Sequence, residues 1–121
     1  MRRGFTIIEL LVVLTVIALL LTIAAPRYLQ SVDKAREATL RENLYVMRDA
    51  IDKFRADRGA YPRSLQELVE ERYLRAVPLD PMTERADTWT QIRAREGEPG
   101  ISDVRSSAQG SARDGTAFAK L

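Results

Sequence analysis

No cysteine occurs in the 121 residues, so no disulfide staples the fold and no thiol is available as a nucleophile or metal ligand. The redox compartment is therefore not legible from the composition. Histidine is missing as well, which removes the commonest general base and the commonest metal ligand. No Gly-x-Ser-x-Gly elbow and no phosphate loop is present, so catalysis would have to rest on carboxylates, lysine or serine alone. The chain is not read as an enzyme. Nor is there an excess of one charge. The 19 basic and 17 acidic residues give +2, and Arg2 and Arg3 account for the difference. With no basic patch interleaved with aromatics, nucleic acid is not an expected partner.

What the chain does have is one long apolar run. Phe5 to Ala25 consists of apolar and hydroxyl side chains with a single charge, Glu9. These 21 residues make about 31 Å of helix at 1.5 Å per residue, enough to cross a bilayer. Arg2 and Arg3 precede the run, and the bias of basic residues toward the cytoplasm places the N-terminus there. A cleaved secretory signal has a similar start, but Glu9 is odd in such a core, and Pro26 directly after Ala24-Ala25 should hinder a signal peptidase. The run is read as an anchor. An acidic side chain at the centre of a membrane helix costs about 2.5–3.5 kcal/mol, less near its end. The segment contains no Lys, Arg or His to pair with Glu9, so its partner must be a terminus, another chain, or water at the membrane face.

Gly4-Phe5-Thr6-Ile7-Ile8-Glu9-Leu10 closely resembles the processing motif of type IV pilins and type II secretion pseudopilins. That motif usually reads Gly-Phe-Thr-Leu-Ile-Glu-Leu, and only Ile7 departs from it. The resemblance implies cleavage by a prepilin peptidase between Gly4 and Phe5 and methylation of the new N-terminal Phe5. It also implies that Glu9 pairs with the N-terminal amine of a neighbouring subunit in a filament. The physics agrees, since an amine at Phe5 lies one turn from Glu9 and meets it poorly within one chain but well between staggered chains. Losing one partner of a buried ion pair costs about 3–5 kcal/mol, so only correct stacking would neutralise both charges.

Beyond the anchor, Pro26 lacks an amide hydrogen and crowds the preceding turn, so a kink or break is expected there. Helical periodicity then resumes. Leu40, Leu44, Met47, Ile51 and Phe54 follow spacings of four, three, four and three, with Leu29, Val32 and Ala35 extending the stripe upstream. Gly59 and Tyr61-Pro62 end it. Phe5 to Arg58 would thus form a spine of about 80 Å at the helical rise. The expected divisions are a leader over 1–4, a transmembrane or filament-core helix over 5–25, an amphipathic half-spine over 26–58 and a head over 59–121.

The head opens with Ser64-Leu65-Gln66-Glu67, a capping box for a helix expected to reach Tyr73-Leu74. Thr88 to Arg93 and Gly100 to Val104 read as short strands about the turn-rich Glu96-Gly97-Glu98-Pro99-Gly100. They predict an antiparallel hairpin or three-stranded sheet laid on the spine, anchored by Trp89. Ser106 to Leu121, rich in Ser, Ala and Gly, reads as an irregular wrap. The fold class is therefore α+β and pilin-like. Tyr61-Pro62, Leu65, Leu68, Tyr73-Leu74 and Val77-Pro78-Leu79-Asp80-Pro81 resemble the matching stretch of major (G-type) pseudopilins of type II secretion.

That resemblance implies a structural subunit of a periplasmic pseudopilus that helps export proteins across the outer membrane. The implied partners are further copies of the chain, minor pseudopilins, a prepilin peptidase and an inner-membrane assembly platform. The subunit would sit in the inner membrane before assembly, N-terminus cytoplasmic and head periplasmic. Alternatives are a type IV pilin for adhesion, motility or DNA uptake, or an anchored binding module that never polymerises. No cofactor is required, although major pseudopilins often hold calcium near the C-terminus. Calcium takes about six to eight oxygens. Here Asp103 and Asp114 are the candidate ligands, with Ser106, Ser107 and Ser111 nearby.

Overall fold

The computed structural model describes residues 4–121, so Arg2 and Arg3, on which the expected orientation depends, lie outside the described residues. Helix α1 runs over Ile7–Arg58, a short helix α2 over Leu65–Glu70, and strands β1 and β2 over Thr90–Arg93 and Ile101–Arg105. A single 3-10 turn at Phe118–Lys120 follows in the tail. The expected α+β, pilin-like layout is found. The sheet has two antiparallel strands rather than three. Two compact units divide the chain, one ending at Lys34 and one covering Ala35–Leu121.

In the first unit, α1 is uninterrupted through Pro26, although that ring supplies no amide hydrogen to the Thr22 carbonyl. Residues 4–31 are all exposed. The helix is long and apolar enough to cross a membrane. The two hydroxyls in its apolar part add no unmet polar group. Thr15 Oγ1 donates to the Leu11 carbonyl at 2.7 Å and Thr22 Oγ1 to the Leu19 carbonyl at 2.6 Å.

In the second unit, the expected stripe is the core. Leu40, Leu44, Met47, Ile51 and Phe54 are buried, joined on the same face by Ala50. Gly59 closes α1 in the left-handed region at φ 71°, its amide donating to the Arg55 carbonyl at 2.9 Å. Against the stripe pack Leu65 and Leu68 of α2, Leu74, Trp89, and Ile101 and Val104 of β2. Trp89 is the expected anchor, and its indole N–H donates to the Pro78 carbonyl at 2.8 Å. Its burial therefore leaves no orphaned donor.

Helix α2 is shorter than its sequence suggests, ending at Glu70 rather than Tyr73-Leu74. Arg72 takes a left-handed conformation at φ 64°, and its amide donates to Val69 O while that of Tyr73 donates to Leu68 O. This is the paired bonding of a Schellman stop with an arginine where glycine is usual. The stop turns Tyr73 back onto α1, where its ring meets Phe54 edge-on at 5.3 Å and its hydroxyl donates to Asp57 at 2.8 Å. The capping box is present with one change. The Glu67 amide donates to Ser64 Oγ, but the Glu67 carboxylate accepts from the Arg63 amide at 2.6 Å, one residue before the cap.

The hairpin is fastened where it turns. Ile101 N–H donates to the Pro62 carbonyl at 2.8 Å. Gly100 sits at φ 105°, and a Cβ there would meet the Pro62 oxygen at 2.6 Å. Both the backbone angle and the close approach require glycine. Opposite Ile92 and Arg93, the register passes from Asp103 to Ile101, leaving Ser102 as the extra residue of a bulge.

Candidate functional site

At the start of α1, Thr6 is the residue just outside the helix and Glu9 closes its first turn. The Thr6 amide donates to Glu9 Oε2 at 3.0 Å, and the Glu9 amide donates to Thr6 Oγ1 at 3.2 Å. The two residues form a reciprocal capping box, in which each side chain satisfies an amide that the first helical turn leaves free. Thr6, inside the apolar run, thus engages Glu9 without supplying the opposite charge that the run lacks. The partner is a backbone N–H, which a search for charged side chains passes over. The signal was present in Thr6-Ile7-Ile8-Glu9, a Ser/Thr-x-x-Glu pattern before an apolar run. The cap satisfies one carboxylate oxygen and, with the positive end of the helix, lowers the cost of the charge. It does not neutralise the charge.

Gly4 and Phe5 precede this box. Phe5 is 89% exposed, and no atom lies within 4 Å of a Cβ built on Gly4. The Gly4–Phe5 bond thus lies outside the helix. From Ile7 to Ile23 the large apolar side chains are exposed without interruption by charge other than Glu9. A contiguous apolar surface of this length must be covered, by lipid or by other chains.

Asp103 and Asp114 do not form a calcium site together. Asp103 Oδ1 accepts from Arg48 Nε at 2.7 Å and from the Val104 amide at 2.8 Å, and its other oxygen faces Arg105 at 3.9 Å. Asp114 accepts from the Thr116 amide at 2.9 Å and lies 3.6 Å from Arg41. The hydrogen bonds from Thr116, with Arg41 adding a smaller effect, hold the Asp114 carboxyl below the usual carboxylate range. Among the described residues no group of three or more acidic, His or Cys side chains is placed to hold a metal. Ser106, one serine of the expected set, is turned to another carboxylate, that of Asp80. The donor set does not fit calcium.

Two residues that the sequence reading gave no role organise this region. Arg48 Nη2 donates to the carbonyls of Val104 at 2.9 Å and Leu121 at 2.8 Å, while its Nε holds Asp103. One guanidinium on α1 thus ties β2 to the end of the tail. Asp80 is fully buried. Its Oδ2 accepts from Ser106 Oγ and its Oδ1 from the Met82 amide at 2.8 Å. These partners lie as far as 55 and 73 residues from Arg48 and 26 from Asp80, beyond any local pattern.

An exposed apolar half-helix opened by a Thr-Glu cap, followed by a small α+β unit on an amphipathic half, is a pilin-like layout. Residues 1–25 match the family described as the prokaryotic N-terminal methylation motif. Over most of its length the chain is also similar to proteins named type II secretion system core protein G. That of Escherichia coli strain K12 is 26% identical over 123 residues, covering 87% of this chain and 80% of the relative. That of Klebsiella pneumoniae is 28% identical over 96 residues, covering 66% and 69%. The Pseudomonas aeruginosa protein is 27% identical over 96 residues, covering 66% and 68%. No solved structure matches the chain.

Proposed function

We propose that the chain is the major structural subunit of a type II secretion-like pseudopilus, polymerising through the first half of α1. The observation that carries this reading is the uncovered apolar helix headed by Gly4-Phe5 and the Thr6–Glu9 cap. In this reading the helix is covered by inner-membrane lipid before assembly and by neighbouring copies afterwards, with the unit from Ala35 onward on the periplasmic side. Cleavage after Gly4 leaves an amine on Phe5, which the Glu9 carboxylate of a staggered neighbour neutralises. Minor pseudopilins, a prepilin peptidase and an inner-membrane platform are the partners such a subunit needs. The relatives named as secretion-system core proteins and the match to the methylation motif support it. Mass spectrometry of the mature N-terminus is the test. A chain beginning at methylated Phe5 is expected, whereas an intact Met1 would leave only an anchored, non-polymerising module.

No cofactor enters this reading. Arg48 itself joins β2 to the tail, and in this reading chelation with EGTA is expected to leave the melting temperature of the purified full-length protein unchanged. Arg48→Met is expected to lower stability by about 1–2 kcal/mol, because charged hydrogen bonds one-third open to water stabilise less than buried ones. A fall on adding EGTA, with no effect of Arg48→Met, would assign the join to a metal instead.

A further inference from the structure

Three arginines converge on one open cleft of ≈ 620 Å³ beside the hairpin: Arg63, Arg93 and Arg95. Side chains on a strand alternate between faces, so Gln91 and Arg93 of β1 share a face, and Arg95, in the bend after the strand, lines the same cleft. The Ser102 bulge lies on β2 and leaves this alternation intact. Arg63 joins from the loop before α2, its own amide held by Glu67. Gln91 contributes its carboxamide. The oxygen of that group accepts from the Leu65 amide at 3.1 Å, so its NH2 is left as a donor toward the cleft.

Among the described residues, no ion pair reaches any of the three arginines. Two carboxylates also line the cleft, but Glu98 faces Arg55 at 3.7 Å, leaving Glu96 as the one not engaged. The cleft is thus a set of guanidinium donors with fewer acceptors than it can use. Guanidinium forks match planar carboxylates two bonds at a time, where a lysine offers only a point charge. The cleft lining contains no aromatic side chain on which a nucleobase could stack. Nor does it offer a large apolar face of the kind that enters a lipid interface.

We propose that this cleft binds an acidic segment of another protein through its Asp or Glu carboxylates. The inference goes beyond the filament reading and does not depend on it.

The test uses the full-length protein in neutral detergent and a fluorescein-labelled peptide of alternating Glu and Ser, followed by fluorescence anisotropy at low and high salt. The expected result is salt-sensitive binding that an alternating Gln and Ser peptide does not show. Binding should fall about tenfold or more in the triple variant Arg63→Gln, Arg93→Gln, Arg95→Gln, as three exposed ion pairs would give. Arg95→Gln alone, whose side chain makes no bond within the fold, should lose part of the affinity with an unchanged melting curve. Arg72→Gln with Arg75→Gln, two unpaired arginines outside the cleft, should bind as the parent does. The proposal is overturned if the peptide fails to bind, or if the control pair loses as much as the triple variant. It is equally overturned if the three arginines drive association with phosphatidylglycerol vesicles or with a second copy of the chain rather than with the peptide.

Discussion

Glu9→Leu is expected to yield a chain that still enters the membrane and is still cleaved and methylated at Phe5, yet builds few filaments or none. Removing the one charge of the apolar run makes insertion easier. In the filament reading, processing acts at the Gly4–Phe5 bond, which lies outside the helix and does not include Glu9. Assembly is different, because each added subunit would leave an amine in apolar surroundings without its carboxylate. Losing one partner of a buried pair costs about 3–5 kcal/mol, which at about 1.4 kcal/mol per tenfold weakens each junction more than a hundredfold. Electron microscopy of sheared filaments, alongside mass spectrometry of the membrane-held subunit, reads both halves of the result.

The Thr6–Glu9 cap makes a second substitution necessary, since Glu9→Leu removes a hydrogen bond as well as a charge. Glu9→Gln separates them. Its amide oxygen can still accept from the Thr6 amide, so the helix start is kept while the charge is lost. Filaments should fail in Glu9→Gln as they do in Glu9→Leu. Normal filaments from the glutamine variant would instead reduce Glu9 to a helix cap and end the pairing account. Thr6→Ala, which removes Oγ1 and the γ-methyl, is expected to cost about 0.5–2 kcal/mol of helix stability without removing the charge.

How much of this was legible in the sequence depends on the reach of each interaction. The stripe from Leu40 to Phe54 is local and periodic, and all five residues are buried as the spacing predicts. The Ser64 cap, the turn before Gly100 and the anchoring Trp89 are similarly short-range or dominated by a single large side chain. The end of α2 was misjudged because its stop uses Arg72 at positive φ, where composition signals only glycine or asparagine. The Thr6–Glu9 pair was written in the sequence but hidden by attention to charge. The tie from Arg48 to the tail and that from Asp80 to Ser106 were not readable, since those partners are brought near only by the completed fold, whereas the Asp80–Met82 bond is local.

Asp80→Ala is expected to be the most damaging change at a polar side chain in the unit from Ala35 to Leu121. The side chain is wholly enclosed, and both its oxygens are engaged, by the Ser106 hydroxyl and the Met82 amide. Truncation leaves those two donors facing a void. Ser106 is only 1% exposed, so its hydroxyl cannot easily turn to water. Hydrogen bonds to a charged group contribute about 1.5–3 kcal/mol each, and an orphaned buried donor costs about 1–3 kcal/mol, so a loss of roughly 3 kcal/mol is expected. In a unit of this size that corresponds to a fall in Tm of more than about 10 °C. Trp89 reports the event directly, because its N–H is fastened to Pro78, two residues before Asp80. Near-ultraviolet circular dichroism of Trp89 should therefore melt early in Asp80→Ala. Ser106→Ala should cost less, since the Met82 bond to Asp80 survives it. The double variant should be less damaged than the two losses added, because Asp80 and Ser106 share one interaction. A change in stability within about 0.5 kcal/mol for Asp80→Ala, the range of ordinary surface substitutions, would show that the buried carboxylate does not hold this loop to the tail.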